Sequence, residues 1–142
     1  MSELNFGRIL RHAERFRDEL AIHDLGNGHR ATFGEHFDRV GRVCGALKTL
    51  GLRGDAPFAV LSNAGHHYVE LWRAGLAGAG VINPLNTRLA PDEIVYILND
   101  SEAEVLFVDA AFADIALELR SRVPGLPGCG RSLESESVRR SS

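Results

Sequence analysis

Apolar positions along this chain change period several times, and each change marks an element. Phe6, Ile9, Leu10, Ala13 and Phe16 recur at spacings of three and four, which predicts a helix over residues 5–16. Short strands at 21–23 and 29–32 flank Gly26-Asn27-Gly28, so a β-hairpin is expected there. Thr32 and Glu35 have the spacing of a capping box, in which each side chain accepts from an orphan backbone N–H of the other. Phe37, Val40, Val43, Cys44, Leu47 and Leu50 then trace one helical face, closed by Gly51 where a left-handed cap is wanted. Residues 58–61, Phe-Ala-Val-Leu, are continuously apolar, as in a strand buried on both faces. Ser62-Asn63 leads into a helix over 65–77 with Tyr68, Leu71, Trp72 and Gly75 as its inner face. Val81-Ile82 reads as a second buried strand, and Pro91 opens a helix carrying Ile94, Ile97 and Leu98. A third strand over 104–109 and a helix over 110–123 complete the pattern.

The alternation of strands and helices implies parallel strands joined by right-handed crossovers. The fold expected is α/β: a partial doubly wound sheet of mostly parallel strands, with flanking helices and an N-terminal β-hairpin. Residues 1–123 read as the ordered part. Residues 124–142, "PGLPGCGRSLESESVRRSS", are rich in Ser, Gly and Arg and have no apolar periodicity. Such a segment cannot bury enough surface to offset its chain entropy, so it is expected to be a disordered tail. No internal repeat is visible.

Composition narrows the function classes. Of 142 residues, 44% are hydrophobic and 25% charged, as in a soluble globular protein. The net charge of −3 leaves no basic footprint for nucleic acid or an anionic membrane. No apolar run approaches the roughly 20 residues of a transmembrane helix. The N-terminus, "MSELNFGRILRHAERFRDEL", is charged and amphipathic and lacks an apolar signal core, so a cytoplasmic protein is expected. Cys44 and Cys129 match no metal or redox spacing. Cys44 lies in an apolar face with no base nearby in sequence, which marks a packed, inert thiol.

Most polar features have a plain structural reading. Gly75, Gly78 and Gly80 close a helix and precede a strand, whereas a dinucleotide loop follows a strand and opens a helix. His66 and His67 are adjacent, and neighbours on a helix point about 100° apart, so no metal site is expected from them. His12, His23, His29 and His36 are scattered and read as solvated. Asp92 and Glu93 suit the positive end of the helix that Pro91 starts, although Ala90 offers no capping oxygen. Arg88 is placed on the loop at the carboxyl end of a parallel strand, where α/β ligands bind. It reads either as a solvated surface arginine or as a phosphate contact.

One long run is similar to a known family. Gly51-Leu52, Gly54-Asp55, Leu61 with Asn63, and Gly80-Val81-Ile82-Asn83-Pro84-Leu85-Asn86 with Arg88-Leu89 resemble the N-terminal region of the AMP-forming acyl-CoA synthetases. So do Pro91-Asp92-Glu93-Ile94, Tyr96-Ile97-Leu98 and Asp100-Ser101, and the Thr32-Phe33-Gly34-Glu35 helix start. The resemblance covers roughly residues 5–123 and implies the adenylate-forming ligase superfamily. Its full-length members use ATP, Mg²⁺ and CoA to convert a small-molecule carboxylic acid to its acyl-CoA, releasing AMP and pyrophosphate. It makes Arg88 a candidate contact for a CoA phosphate. The family's Ser/Thr/Gly-rich phosphate loop ending in Pro-Lys-Gly, its Tyr-Gly-x-Thr-Glu and Thr-Gly-Asp segments and its adenylation lysine are not found in this sequence. The resemblance fades near Pro124, where the composition also shifts, as a frameshift or premature stop would produce.

The resulting expectation is a truncated N-terminal segment of such a ligase, inactive alone, with no catalytic or metal-binding residue and no tightly bound cofactor. The alternative is a non-catalytic α/β binding or interaction module that complements a separate chain. An independent flavodoxin-like nucleotide enzyme lacks any phosphate loop. An incomplete sheet is expected to self-associate through its exposed edge.

Overall fold

A computed structural model of the chain describes residues 13–126. The expected helix over 5–16 lies mostly outside the described residues; of it, Ala13–Phe16 form a 3₁₀ turn. Residues 127–142 of the expected tail also lie outside them. The described chain divides into two compact units, residues 13–55 with 64–80, and 56–63 with 81–126. Among the described residues no helix is long and apolar enough to cross a membrane.

The first unit holds strands β1 (Leu20–His23) and β2 (Arg30–Thr32), helix α1 (Phe33–Thr49) and helix α2 (His66–Leu76). β1 and β2 pair antiparallel, with Leu20 opposite Thr32 and His23 opposite Arg30, as the Gly-Asn-Gly turn predicts. Gly28 in that turn has φ +76°, a conformation that glycine adopts without strain. The capping box is formed: Thr32 N–H donates to Glu35 Oε2 at 2.8 Å, and Glu35 N–H to Thr32 Oγ1 at 3.2 Å.

α1 buries Gly34, His36, Val40 and Leu47. Leu50, assigned to the inner face by its spacing, is 63% exposed beyond the last helical turn. α2 buries His66, Glu70, Leu71 and Ala74, so its inner face is rotated from the expected one and Trp72 is exposed. Both helices end in Schellman motifs. Gly51 (φ +85°) donates to Lys48 O and Leu52 to Leu47 O; Gly78 (φ +89°) donates to Gly75 O and Ala79 to Ala74 O.

The second unit is a parallel sheet of β3 (Pro57–Leu61), β4 (Val81–Pro84) and β5 (Val105–Val108) in the order β4-β3-β5. Helices α3 (Pro91–Asp100) and α4 (Ala113–Arg122) flank it. In register, Ala59 faces Leu106 and Leu61 faces Val108. These four residues share a sheet face and pack with Ile94 and Leu98 of α3 and Ala116 and Leu119 of α4. Phe58, on the opposite face, is fully buried and meets Phe107 edge-on at 6.0 Å. The core extends past Val123 to Leu126, which is 5% exposed. The architecture is α/β, with a parallel three-stranded sheet, flanking helices and an antiparallel N-terminal strand pair.

α3 starts without a hydroxyl cap, and Glu93 supplies half of a capping box by accepting Ala90 N–H at 2.9 Å. Its end is a third Schellman motif, with Glu102 at φ +52° in the place that Gly51 and Gly78 hold elsewhere.

Candidate functional site

The carboxyl end of the parallel sheet is built from three loops. β3 runs out into Ser62-Asn63, β4 into Leu85–Ala90 and β5 into Asp109. β5 lies on the far side of β3 from β4, so the chain reverses its winding direction between β3 and β5. Such a switch point leaves a crevice above the strand ends. Asp109 N–H donates to Leu61 O at 3.0 Å there, and the Asp109 carboxylate caps the next turn through Ala111 N–H at 3.3 Å.

Arg88 stands on the β4 loop, one strand from that point, and is exposed. Asn86 shapes the loop: its Oδ1 accepts Arg88 N–H at 3.0 Å and its backbone carbonyl accepts Leu89 N–H at 3.2 Å. The guanidinium makes no hydrogen bond or ion pair with any described residue. It is the one cation on these three loops among the described residues. Asp92 pairs with Arg122 at 2.6 Å and Glu93 holds the helix start, so neither carboxylate is free. The arrangement offers one charge-assisted contact to an anion and no clamp.

A second polar cluster lies in the first unit, and sequence pattern missed it. Asp24, at the end of β1, reaches the start of α2. Its Oδ2 accepts His66 N–H at 3.0 Å and lies 2.9 Å from His66 Nδ1, while Oδ1 accepts Gly26 N–H at 2.9 Å. Asp24 thus caps α2, whose own N-cap, Gly65, has no side chain. A Cβ at Gly65 would come within 3.2 Å of that carboxylate. Hydrogen bonds from His66 and Gly26 hold the Asp24 carboxyl down at about 2.

His29 stacks on His66 with ring centroids 4.0 Å apart, and the His67 ring lies tilted against His66 at 3.9 Å. Glu70, 5% exposed, accepts from Arg39 Nε at 2.5 Å and lies 3.4 Å from His67 Nδ1. Burial pushes the Glu70 carboxyl up, but hydrogen bonds from His67 and Arg39 outweigh it and bring it to about 2. His36 is 3% exposed and its Nε2 has no hydrogen-bond partner. Burial lowers the pKa of both His29 and His36, with help at His29 from the charges of His66 and Arg39 and at His36 from Arg73.

The expectation of solvated histidines therefore fails at His29 and His36. It holds at exposed His23, which lies beside Arg30; His12 lies outside the described residues. His29, His66 and Glu70 form a cluster although 37 residues separate the first two in sequence; the T-x-x-E helix start and the Gly-Asn-Gly turn gave no sign of it. Cys44 is half-buried, and burial raises its pKa, as a packed thiol requires. Cys129 lies outside the described residues.

A family model described as AMP-binding enzyme matches residues 9–139. The chain is 32% identical over 124 residues to a long-chain-fatty-acid–CoA ligase of Thermus thermophilus, covering 85% of this chain and 23% of the relative. It is 28% identical over 118 residues to a 3-methylmercaptopropionyl-CoA ligase of Ruegeria lacuscaerulensis, covering 81% and 22%. The fold matches the N-terminal domain of FACL13 from Mycobacterium tuberculosis with a TM-score of 0.86 at 23% identity, over 95% of this chain and 35% of that one. The chain thus spans 22–23% of the length of these two ligases. Over that span it belongs to the AMP-binding enzyme family.

Proposed function

We propose that this segment contributes one wall of the large domain of an acyl-CoA synthetase, offers Arg88 to a CoA phosphate, and forms no acyl-adenylate by itself. The reaction it would serve joins a carboxylic acid to ATP with loss of pyrophosphate, and then moves the acyl group to CoA with loss of AMP. The observation that carries this reading is the single unpaired guanidinium at the carboxyl end of the sheet, without a second cation on those loops among the described residues.

The residues present do not fit ATP or Mg²⁺. Magnesium takes hard oxygen ligands in near-octahedral array, and the carboxylates Asp92, Glu93 and Asp109 are committed to Arg122, Ala90 N–H and Ala111 N–H. Adenylation needs phosphate clamps, metal and carboxylate positioned together. Those groups would have to come from sequence outside this segment or from another chain. The two ligases above are named for different acids, so the substrate is proposed only as a small-molecule carboxylic acid. The free thiol of Cys44 suits a reducing compartment such as the cytoplasm.

One charge-assisted hydrogen bond contributes roughly 1.5–3 kcal/mol, whereas micromolar binding needs about 8 kcal/mol. CoA should therefore bind this chain no tighter than about millimolar. Titrating CoA into the purified chain and into Arg88→Ala tests the assignment. Weak binding lost in Arg88→Ala supports it, and tight binding that survives the substitution removes it.

A second reading rests on β4 and β5, whose outer edges have no strand partner among the described residues. Such edges recruit strands from a separate chain or a second copy. Concentration-dependent dimerisation or aggregation is the expected outcome in sedimentation, and a monomer at all concentrations would argue against it.

A further inference from the structure

We propose that His29, His66 and Glu70 form a binding site for one divalent transition-metal ion of the zinc class, with Asp24 as the outer carboxylate that orients His66. Each of the three residues offers one donor atom, and these atoms lie within 4.8 Å of one another. Two imidazoles and one carboxylate are a donor set that suits zinc and its neighbours and does not suit Mg²⁺ or Ca²⁺.

The surroundings prepare each ligand. Asp24 Oδ2 lies 2.9 Å from His66 Nδ1, closer than Asn27 Nδ2 at 3.3 Å. The charge-assisted contact decides the tautomer: Nδ1–H donates to Asp24, and the Nε2 lone pair is left for a metal. A carboxylate behind a histidine ligand is the usual outer partner of a zinc-bound imidazole. The His29 ring makes no hydrogen bond among the described residues, so neither ring nitrogen is taken by a protein partner. Glu70 Oε1 is held by Arg39 Nε, but Oε2 has only two long contacts, 3.4 Å to Arg39 Nη2 and 3.4 Å to His67 Nδ1. Oε2 is the more loosely held oxygen, and it would have to exchange these long contacts for the ion while Arg39 Nε keeps Oε1.

Loading requires a definite movement. Ligand atoms around tetrahedral zinc lie about 3.4 Å apart at bond lengths of about 2.0–2.1 Å, so from separations of up to 4.8 Å the cluster must close by up to about 1.4 Å. The rings of His29 and His66 are stacked only 20° from parallel, and imidazole lone pairs lie in the ring plane. His29 must therefore turn off its stack to share an ion with His66. His29 lies at the end of the hairpin turn, just before β2, and its carbonyl accepts Asp24 N–H at 2.8 Å, so the movement is a side-chain rotation on a fixed backbone. Its backbone N–H donates to Asn27 Oδ1 at 2.9 Å, which a rotation about the side-chain bonds leaves in place.

The test uses the untagged full chain, stripped with a chelator. Zn²⁺ is titrated by calorimetry and Co²⁺ by visible absorption. One ion per chain is expected, with the intense bands of a low-coordinate Co²⁺ site. His29→Ala should weaken Zn²⁺ binding at least about tenfold, and Asp24→Asn roughly 10–100-fold. His23→Ala, which alters an exposed histidine of the same hairpin, should change nothing. His29→Ala removes no hydrogen bond of the ring, so its circular dichroism should match the wild type. If it fails to fold, the wild-type stoichiometry and Co²⁺ spectrum still decide. Absence of binding to the wild type, a spectrum of hydrated octahedral Co²⁺, or affinity unmoved in a folded His29→Ala would each overturn the proposal.

Discussion

The two units of this chain bury different chemistry. Around β3 the interior is apolar throughout: Ala59, Leu61, Leu106 and Val108 meet Ile94, Leu98, Ala116 and Leu119. Around α2 the first unit buries Leu71 and Ala74 beside His66 and Glu70, and draws Asp24, His29 and Arg39 onto them. The apolar core depends on volume and shape, since its energy comes from removing surface from water and from close packing. The polar cluster depends on every partner being present and in the right charge state, because an unpaired buried ion costs far more than a paired one contributes. The first kind of interior tolerates pH and resists cavities poorly; the second is sensitive to acid and to loss of single partners.

A cavity in the apolar unit should produce the largest effect. Leu106, on β5, is 1% exposed and packs within the apolar core. Leu106→Ala should cost about 2–5 kcal/mol in urea unfolding, largely independent of pH between 5 and 8. A cost below about 1 kcal/mol would mean that the site collapses freely and is not close-packed.

Loss of one partner in the polar cluster should come next. Arg39→Met leaves Glu70 buried with only the long His67 contact, and we expect a loss of about 3 kcal/mol. The double variant Arg39→Met/Glu70→Met should recover most of it, because two apolar side chains replace a desolvated pair. If the double variant is as unstable as the sum of the singles, the pair is not what holds that interior.

Acid separates the units further. His29 and His36 have lowered folded pKa values, so the unfolded chain binds more protons below its own value of 6.5, and the stability they contribute is lost as pH falls from there. Asp24 and Glu70, held at about 2 against 3.8 and 4.5, contribute stability above the unfolded values that is lost as pH falls toward 2. All four shifts have the same sign. With a chelator present, amide protection factors, corrected for the intrinsic exchange rate, should fall in β1, β2 and α2 from about pH 6 downward, before they do in β3 and β5. Simultaneous loss in both units would show that this cluster does not control the first.

The smallest expected effect lies at the end of α3. Glu102 takes φ +52°, where Gly51 and Gly78 serve in the other Schellman motifs. Glu102→Gly should stabilise the chain by up to about 1 kcal/mol, since a left-handed side chain costs about 1–2 kcal/mol and glycine returns part of that as entropy. A destabilised variant would mean that the side chain contributes more than the strain costs.

The same contrast explains what was legible in the sequence. Residues 58–61, Ile94 with Leu98, the Thr32–Glu35 capping box and the glycine after α1 all follow from short-range rules. Hydrophobic period, helix caps and turn residues each have a local signal, and the α/β order follows from them. The inner face of α2 does not. His66 and Glu70 look solvated in any reading that weighs one residue at a time, and only Asp24, His29 and Arg39, brought in from the hairpin and α1, make their burial favourable. Trp72, the largest side chain of α2, is then left 37% exposed. Arg88 was legible as a position at the end of a parallel strand, but its lack of a partner is a property of the folded loop.

The most direct measurement is ATP-dependent pyrophosphate release by the purified chain, with Mg²⁺ and a panel of fatty and aromatic acids. We expect none above the buffer rate, because one guanidinium on the loops at the sheet's carboxyl end cannot replace a phosphate clamp, a metal site and a positioned carboxylate. Pyrophosphate release that requires both ATP and a carboxylic acid, and that copurifies with the chain, would contradict this outright.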